Sequence, residues 1–218
     1  SGSMTKRASA SFPPASTVVR SKAWTCRSGT GSAVHSRIGS SRPQSISVVG
    51  ERRIGKSSLL YYIYHPQVRA HFLDDTDSYI FVFIDLQQKR RLTLIEFFKE
   101  LFALLAKETG DEAITQLDPS FDSVRALLER FRRLDRKLIV LFDEFDAITT
   151  NRAFDLEFYS FLRSIANNYD VAYVTSSARD LQELCHTQLI ADSPFFNIFT
   201  NVFLRAFTQK EASTLVTK

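Results

Sequence analysis

Long apolar runs are missing from this sequence of 218 residues. No segment approaches the roughly 20 consecutive apolar residues that a membrane-spanning helix requires, so no membrane partner is expected and the chain reads as soluble. Cysteine is scarce too: Cys26 and Cys185 are the two present, far apart and without CxxC spacing. That excludes a disulfide framework and a thiolate zinc site, and it fits a reducing, cytoplasmic setting. His65, His71 and His186 stand at no ligand spacing with Cys or acids, which argues against a transition-metal centre. Glycine is nearly absent from the body of the chain, with only Gly50, Gly55 and Gly110 after residue 44.

Acidic residues are absent from residues 1–44, which carry seven Lys or Arg. The remaining 21 basic residues face all 24 acidic ones, so residues 45–218 have a formal charge of −3 although the whole chain has +4. A basic tail on a mildly acidic body argues against a broad nucleic-acid-binding face on the domain itself, and nucleic acid is not the favoured partner. The tail is rich in Ser, Gly, Arg and Pro without sustained periodicity, so residues 1–44 are expected to form a disordered leader. Within it, Ser1-Gly2-Ser3 ahead of Met4 reads as a scar of tag cleavage. The acid-poor start also resembles an organelle transit peptide, but no amphipathic helix is visible. Val18, Val19, Trp24 and Ile38 are the apolar residues by which some of it would pack on the body.

From Ser45 onward strands alternate with helices, the signature of a parallel sheet covered on both faces. Ser45–Val49 is a short β-rich run, and Lys56–Tyr64 reads as a helix stopped before Pro66. Strands follow at Tyr79–Leu86, Leu138–Phe142, Val171–Thr175 and Asn201–Leu204. The helices between them are expected at Leu92–Lys107, at Phe121–Leu134 with one apolar stripe, and along Phe154, Phe158, Phe161, Leu162 and Ile165. The 19 phenylalanines fall mostly at helical or strand spacing and read as core rather than as a base-stacking platform.

Chemistry starts where the first strand meets its helix. Gly50, Gly55, Lys56 and Ser57 satisfy GxxxxGK[ST], with Glu51, Arg52, Arg53 and Ile54 between the glycines and Ser58 following. Two of the body's three glycines sit where such a loop must bend and let backbone N–H groups approach phosphate. The helix N-terminus adds a positive dipole end, Lys56 a mobile charge for the β- and γ-phosphates, and Ser57 a hard oxygen for magnesium. The bland alternative is an incidental glycine turn before a core helix. The pattern predicts ATP or GTP with Mg2+ as cofactors.

A second constellation ends the apolar run Leu138–Phe142 in two carboxylates, Asp143 and Glu144. Ligands bind beyond the carboxyl ends of parallel strands, so this pair should converge with the loop. Asp143 is then a metal-orienting group, and Glu144 the base that polarises the water attacking the γ-phosphate. A charged pair that merely marks a strand exit is the alternative. After Val171–Thr175, Ser177 or Arg179 would hydrogen-bond the phosphate or the attacking water, unless they only cap the next helix. Arg163 would reach a neighbouring subunit as an arginine finger, or simply be a solvated helix-face arginine.

The segments GERRIGKSSLL, LIVLFDEFDAI, AYVTSSARDL and SPFFNIFTNVFLRAFTQKEASTLV, in this order, resemble an AAA-like ATPase of the STAND and archaeal-ATPase group over Ser45 to Lys218. The resemblance implies a three-layer α/β/α P-loop fold with a mainly parallel five-stranded sheet in the order 5-1-4-3-2. It assigns Lys56 and Ser57 to phosphate and magnesium, Asp143 and Glu144 to the acidic pair, and Ser176 to Arg179 to the sensor-1 region. The VGRExEL-like segment usual ahead of the first strand is not found in residues 1–44. Domain expectations are a leader at 1–44, an ATPase core at 45–207 and the start of a truncated helical lid at 208–218. The function implied is a slow ATPase switch in signalling or regulated assembly, with self-association or a partner protein engaged through a missing C-terminal region. A DNA-handling ATPase of the initiator or transposition-helper type, and a nucleotide-binding module without turnover, are the alternatives.

Overall fold

Short β-branched and aromatic runs separated by amphipathic segments can bury both sheet faces only by stacking helices on each side. The structure, a computed structural model, describes residues 30–206 together with Thr208 and Gln209. Expectations placed on residues 1–29, Cys26 among them, and on most of 208–218 lie outside the described residues.

Five strands, β1 (Ser45–Val49), β2 (Tyr79–Asp85), β3 (Lys137–Asp143), β4 (Val171–Ser177) and β5 (Phe199–Phe203), pair in parallel in the order β2-β3-β4-β1-β5. This is the expected 5-1-4-3-2 order read from the other edge. Every residue of β1 and β4 is buried, as strands covered on both faces should be. The helices are α1 (Thr30–Ile38), α2 (Lys56–Tyr64), α3 (Pro66–Phe72), α4 (Leu94–Thr109), α5 (Phe121–Arg133), the single turn α6 (Asp146–Thr149), α7 (Leu156–Asn168) and the single turn α8 (Gln188–Ala191). Among the described residues no helix is long and apolar enough to cross a membrane.

Local chemistry sets the boundaries. α4 starts two residues later than its apolar pattern suggests because Thr93 forms a capping box: Thr93 Oγ1 accepts from Glu96 N–H at 3.3 Å, and the Glu96 carboxylate accepts from Thr93 N–H at 2.8 Å. It ends at Gly110, whose φ of 74° suits a left-handed cap. His65 breaks α2 from α3, and Pro66 occupies the first turn of the new helix, where its missing N–H costs nothing.

The chain steps from β1 to the far edge β2 and then returns through β3 and β4, so right-handed crossovers place successive helices on opposite faces. One face packs α4, α5 and α7 against Val82, Val140, Phe142 and Tyr173. The other packs α1 and α2 against Ile46, Val48, Ile139 and Val174.

One expectation is corrected here. Residues 30–44 are not part of a disordered leader: α1 is helical, and its Val34, His35 and Ile38 are fully buried. His35 stacks on Phe72 with ring centroids 4.3 Å apart and meets Tyr62 edge-on. Arg42 then reaches Ala166 O at 3.2 Å, and Gln44 N–H donates to Arg37 O, tying the segment to the body before β1 begins. The physical reason is tertiary. Three residues on one side of a short helix bury enough surface against α2 and α3 to offset the entropy that its Ser- and Gly-rich composition raises.

Candidate functional site

The carboxyl ends of β1 and β4 are neighbours, and the segments that follow them leave toward opposite faces, opening a crevice at that point. The glycine-bounded loop Gly50–Ser57 fills one side. Gly55 sits at φ 101°, a left-handed conformation that side chains rarely adopt. A Cβ on Gly50 would lie 3.0 Å from Leu204 O and 3.1 Å from Ile54 Cγ2, so a side chain here would have to push the neighbouring backbone or Ile54 aside by a few tenths of an ångström. Lys56 Nζ turns back into the loop and donates to Gly50 O at 2.8 Å and Glu51 O at 3.0 Å. Burial pushes the Lys56 ammonium below the usual lysine value, against the pull of Asp146, Asp143 and Glu144, with Arg52 adding to the depression.

β3 delivers the acidic pair. Asp143 is buried at the strand end, on the same sheet face as α2, because side chains alternate along β3 and its Ile139 and Leu141 face that way. Ser176 of β4 lies alongside and donates its hydroxyl to Asp143 Oδ1 at 2.5 Å. The same Ser176 oxygen accepts from Glu144 N–H at 3.0 Å. One buried hydroxyl therefore fixes the turn at which the two carboxylates part: Asp143 inward, Glu144 into the open cleft. Glu144 holds that turn at φ 56°.

An open cleft of about 820 Å³ runs between the loop and the ends of β2 and β3, bordered by Lys56, Ser57, Ser58, Gln88, Arg90 and Glu144. Arg52 and Arg53 border it too. Left-handed backbone concentrates there. Of the four non-glycine residues with positive φ among those described, Arg53, Gln88 and Glu144 line this cleft, and only Asp135 lies elsewhere. Each costs about 1 kcal/mol or more, and such strain gathers where geometry serves a ligand rather than the fold.

Residues singled out from the sequence are thus partly brought together. Gly55, Lys56, Ser57, Ser58, Arg52, Arg53 and Glu144 border one cleft, with Asp143 buried beneath it. Ser177 lines a smaller adjoining recess, and its hydroxyl donates to Arg179 O at 2.7 Å. The Arg179 side chain is exposed and lines neither space, and Arg163 is exposed on α7, also outside both. Sequence reasoning missed Ser176 as the residue that touches the acidic pair. It also missed Asp146, which accepts from Ala178 N–H at 3.2 Å and lines the recess, and the Gln87–Arg90 turn. Strand alternation carried a signal for the first: Phe142 pairs with Thr175, so the next residues, Asp143 and Ser176, share the opposite face. Cys185 is half-buried, donates to Leu181 O, and its thiol is pushed up to about 11 by burial.

The donor chemistry fits a magnesium-bound polyphosphate. No group of three or more His, Cys, Asp or Glu able to hold a metal occurs among the described residues. Magnesium of this kind needs none, since it keeps waters and phosphate oxygens and takes only one or two hard protein ligands, for which Ser57 and Asp143 are suited.

A parallel sheet in this order, with a glycine-bounded loop leading into the helix after β1, defines the P-loop NTPase fold. The chain belongs to the family described as Novel STAND NTPase 2, which matches residues 40–218. No curated protein matches it. Among solved structures it is similar to the Aeropyrum pernix ORC2 protein in its ADPNP–ADP complexes, with a TM-score of 0.66 and 16% identity over 96% of this chain and 53% of that one. It is similar to a Walker-type ATPase of Pyrococcus abyssi, with a TM-score of 0.64 and 16% identity over 88% of this chain and 56% of that one. Drosophila ORC bound to DNA gives 0.66 and 13% over 93% and 48%. The chain spans about half the length of these solved proteins, and at such identities the likeness shows the fold.

Proposed function

We propose that this chain binds ATP, or GTP, with magnesium and works in the cytoplasm as a slow ATPase switch whose nucleotide state controls its association with itself or with a partner protein. The observation that carries the reading is convergence. The loop Gly50–Ser57 and the Asp143–Glu144 strand end, almost 90 residues apart in sequence, border one strained cleft. In this reading the backbone N–H groups from Glu51 to Ser58 cradle the phosphates, and Lys56 leaves its two carbonyl partners to meet the β- and γ-phosphates. Ser57 and Asp143 would hold the magnesium, which would supply positive charge to the phosphate oxygens. Glu144 accepts the proton of the attacking water. Ser177 lies within reach of the same space, whereas Arg179 has no part unless its side chain turns inward.

A DNA-handling ATPase is the second reading. It is favoured by the fold shared with Drosophila ORC bound to DNA and with the Aeropyrum pernix ORC1 protein in complex with DNA, the latter at a TM-score of 0.55. The acidic balance of residues 45–218 weighs on the other side. Calorimetry with MgATP and radiolabelled ATP hydrolysis, each with and without duplex DNA, separate the two. The Lys56→Ala protein is expected to keep its fold and lose most triphosphate affinity. Glu144→Gln is expected to bind MgATP and lose turnover by about 10²-fold or more, because the amide keeps the shape and takes no proton. Equal affinity for ATP in Lys56→Ala would overturn the nucleotide assignment, and turnover that rises severalfold with DNA would replace the first reading by the second.

A further inference from the structure

The cleft has two sides, and the loop supplies only one of them. Because the strands run β2-β3-β4-β1, the phosphate loop after β1 and the turn after β2 face each other, with the ends of β3 and β4 between them. The recess at this junction is lined from one side by Arg52 and Lys56, from the middle by Glu144, Asp146 and Ser177, and from the β2 side by Gln88 and Arg90. Among its described lining residues, Arg90 is the one cation that does not come from the phosphate loop.

The turn that carries Arg90 is fixed by a dense set of bonds. Leu86 N–H donates to Asp143 O at 3.1 Å, joining the turn to the acidic strand end. Gln87 N–H donates to Asp85 Oδ1 at 2.8 Å, and Lys89 N–H and Leu92 N–H each close a tight turn at 3.0 Å. Gln88 sits at φ 66°, Lys89 pairs with Glu100 of α4, and Asn151 Nδ2 holds Leu92 O at 2.8 Å. Strained backbone, an anchored neighbour and a bond to the β3 end hold this segment in place. The Arg90 guanidinium itself has no hydrogen-bond or ion-pair partner among the described residues, although Glu144 and Asp146 line the same recess. A backbone anchored by these bonds presents an uncommitted fork of donors to the recess, a group suited to a phosphate.

We propose that Arg90 is a catalytic residue of this cleft: its guanidinium grips the terminal phosphate of the bound triphosphate from the side opposite Lys56, an arginine supplied by the same chain. The proposal rests on the nucleotide reading above. In hydrolysis the water oxygen bonds the γ-phosphorus as the bridging P–O bond breaks, the water proton passes to Glu144, and the displaced electron pair stays on the β-phosphate oxygen. Charge spreads over the equatorial γ-oxygens meanwhile, and a guanidinium carried there on an anchored turn stabilises that state more than the ground state. The same contact makes the site prefer triphosphate to diphosphate, since ADP has nothing for Arg90 to hold.

The test uses the full chain and compares wild type with Arg90→Ala, Arg90→Lys and Arg91→Ala, which removes an equal charge from the same turn outside the cleft. Calorimetry with MgATP and MgADP gives the affinity ratio, and single-turnover hydrolysis gives the rate. Wild type should prefer MgATP by about tenfold or more, Arg90→Ala should cut that ratio severalfold to what Lys56 supplies with turnover about 10²-fold lower, and Arg91→Ala should leave both unchanged. Arg90→Lys should recover part of the ratio through its charge and little of the rate. Arg90 is exposed, so unchanged melting temperatures are expected throughout. A wild-type ratio kept in Arg90→Ala, or an equal loss in Arg91→Ala, overturns the proposal. Wild type that binds ATP and ADP equally overturns it while nucleotide binding stands, and wild type that binds neither removes the nucleotide reading with it.

Discussion

The two faces of the sheet are built from different material. Beneath α4, α5 and α7 the core is aromatic: Phe97 meets Phe158 edge-on at 5.3 Å, Phe158 meets Phe154 at 4.7 Å, and Tyr159 and Tyr173 continue the cluster toward Phe195. Beneath α1 and α2 it is smaller and largely aliphatic, and its strand ends turn polar at Asp143 and Ser176. Large rings bury 150–250 Å² apiece and dominate core energetics. Their placement behind the sheet puts the larger, aromatic core on the face opposite buried Asp143 and Ser176. Bulk and buried polar groups are divided by the sheet, and the two sides meet at its carboxyl end, where Leu86 and Ala147 of the aromatic core line the recess beside Ser177.

That division is open to attack from either side. The largest effect is expected from the aromatic face. Phe158→Ala removes a fully buried ring, which should cost about 3–5 kcal/mol and lower the melting midpoint by roughly 6–20 °C while the folded fraction binds MgATP as before. Affinity that falls together with stability would show that the faces are not independent. Next comes the aliphatic face, where a chain beginning at Arg42 loses Val34 and Ile38 from the core. Compared with a chain beginning at Thr30, its midpoint should fall by about 8 °C, equivalent to some 2–4 kcal/mol. An unchanged midpoint would return α1 to the status of a passive leader. The smallest stability effect belongs to the polar strand ends. Ser176→Ala strips a donor from buried Asp143 and an acceptor from Glu144 N–H, which should cost about 1–2 kcal/mol in urea unfolding. It should also slow hydrolysis far more than it weakens MgATP binding, and a loss of affinity alone would reduce Ser176 to a packing residue.

Much of this arrangement is legible in the sequence, for identifiable reasons. β1, α2 and α5 are predicted to within a residue because apolar periodicity and the Pro66 stop act locally. The strand order follows from the resemblance to P-loop ATPases, and no local signal carries it. α1 escapes because TGSAVHSRI offers few apolar residues and a helix-weakening glycine; its burial depends on Tyr62 and Phe72, which the chain supplies later. The loop and the acidic pair are readable as motifs. Asp146 and Arg90 are not, and Ser176 is legible only as part of the sensor-1 segment, since which of several polar residues at a strand end faces the acidic pair depends on register and turn geometry. Ser177 and Arg179 show the same limit: both stand in the expected segment, yet it is Ser176 that reaches the acidic pair.

The placement of β1 between β4 and β5 has a consequence for how the molecule comes into being. Ser45 accepts a bond from Tyr173, 128 residues further on, and both partners of β1 lie in the last third of the chain. During synthesis the phosphate loop therefore emerges on a strand that has no neighbour until Val171–Ser177 follows. The β2–β3 half and its aromatic helices can assemble meanwhile. Contacts of such long sequence separation close late, because their loop entropy must be overcome before they stabilise anything. Competence to hold phosphate should thus arrive abruptly, near the end of folding, and a ribosome stalled before residue 171 would display the motif in full without a site.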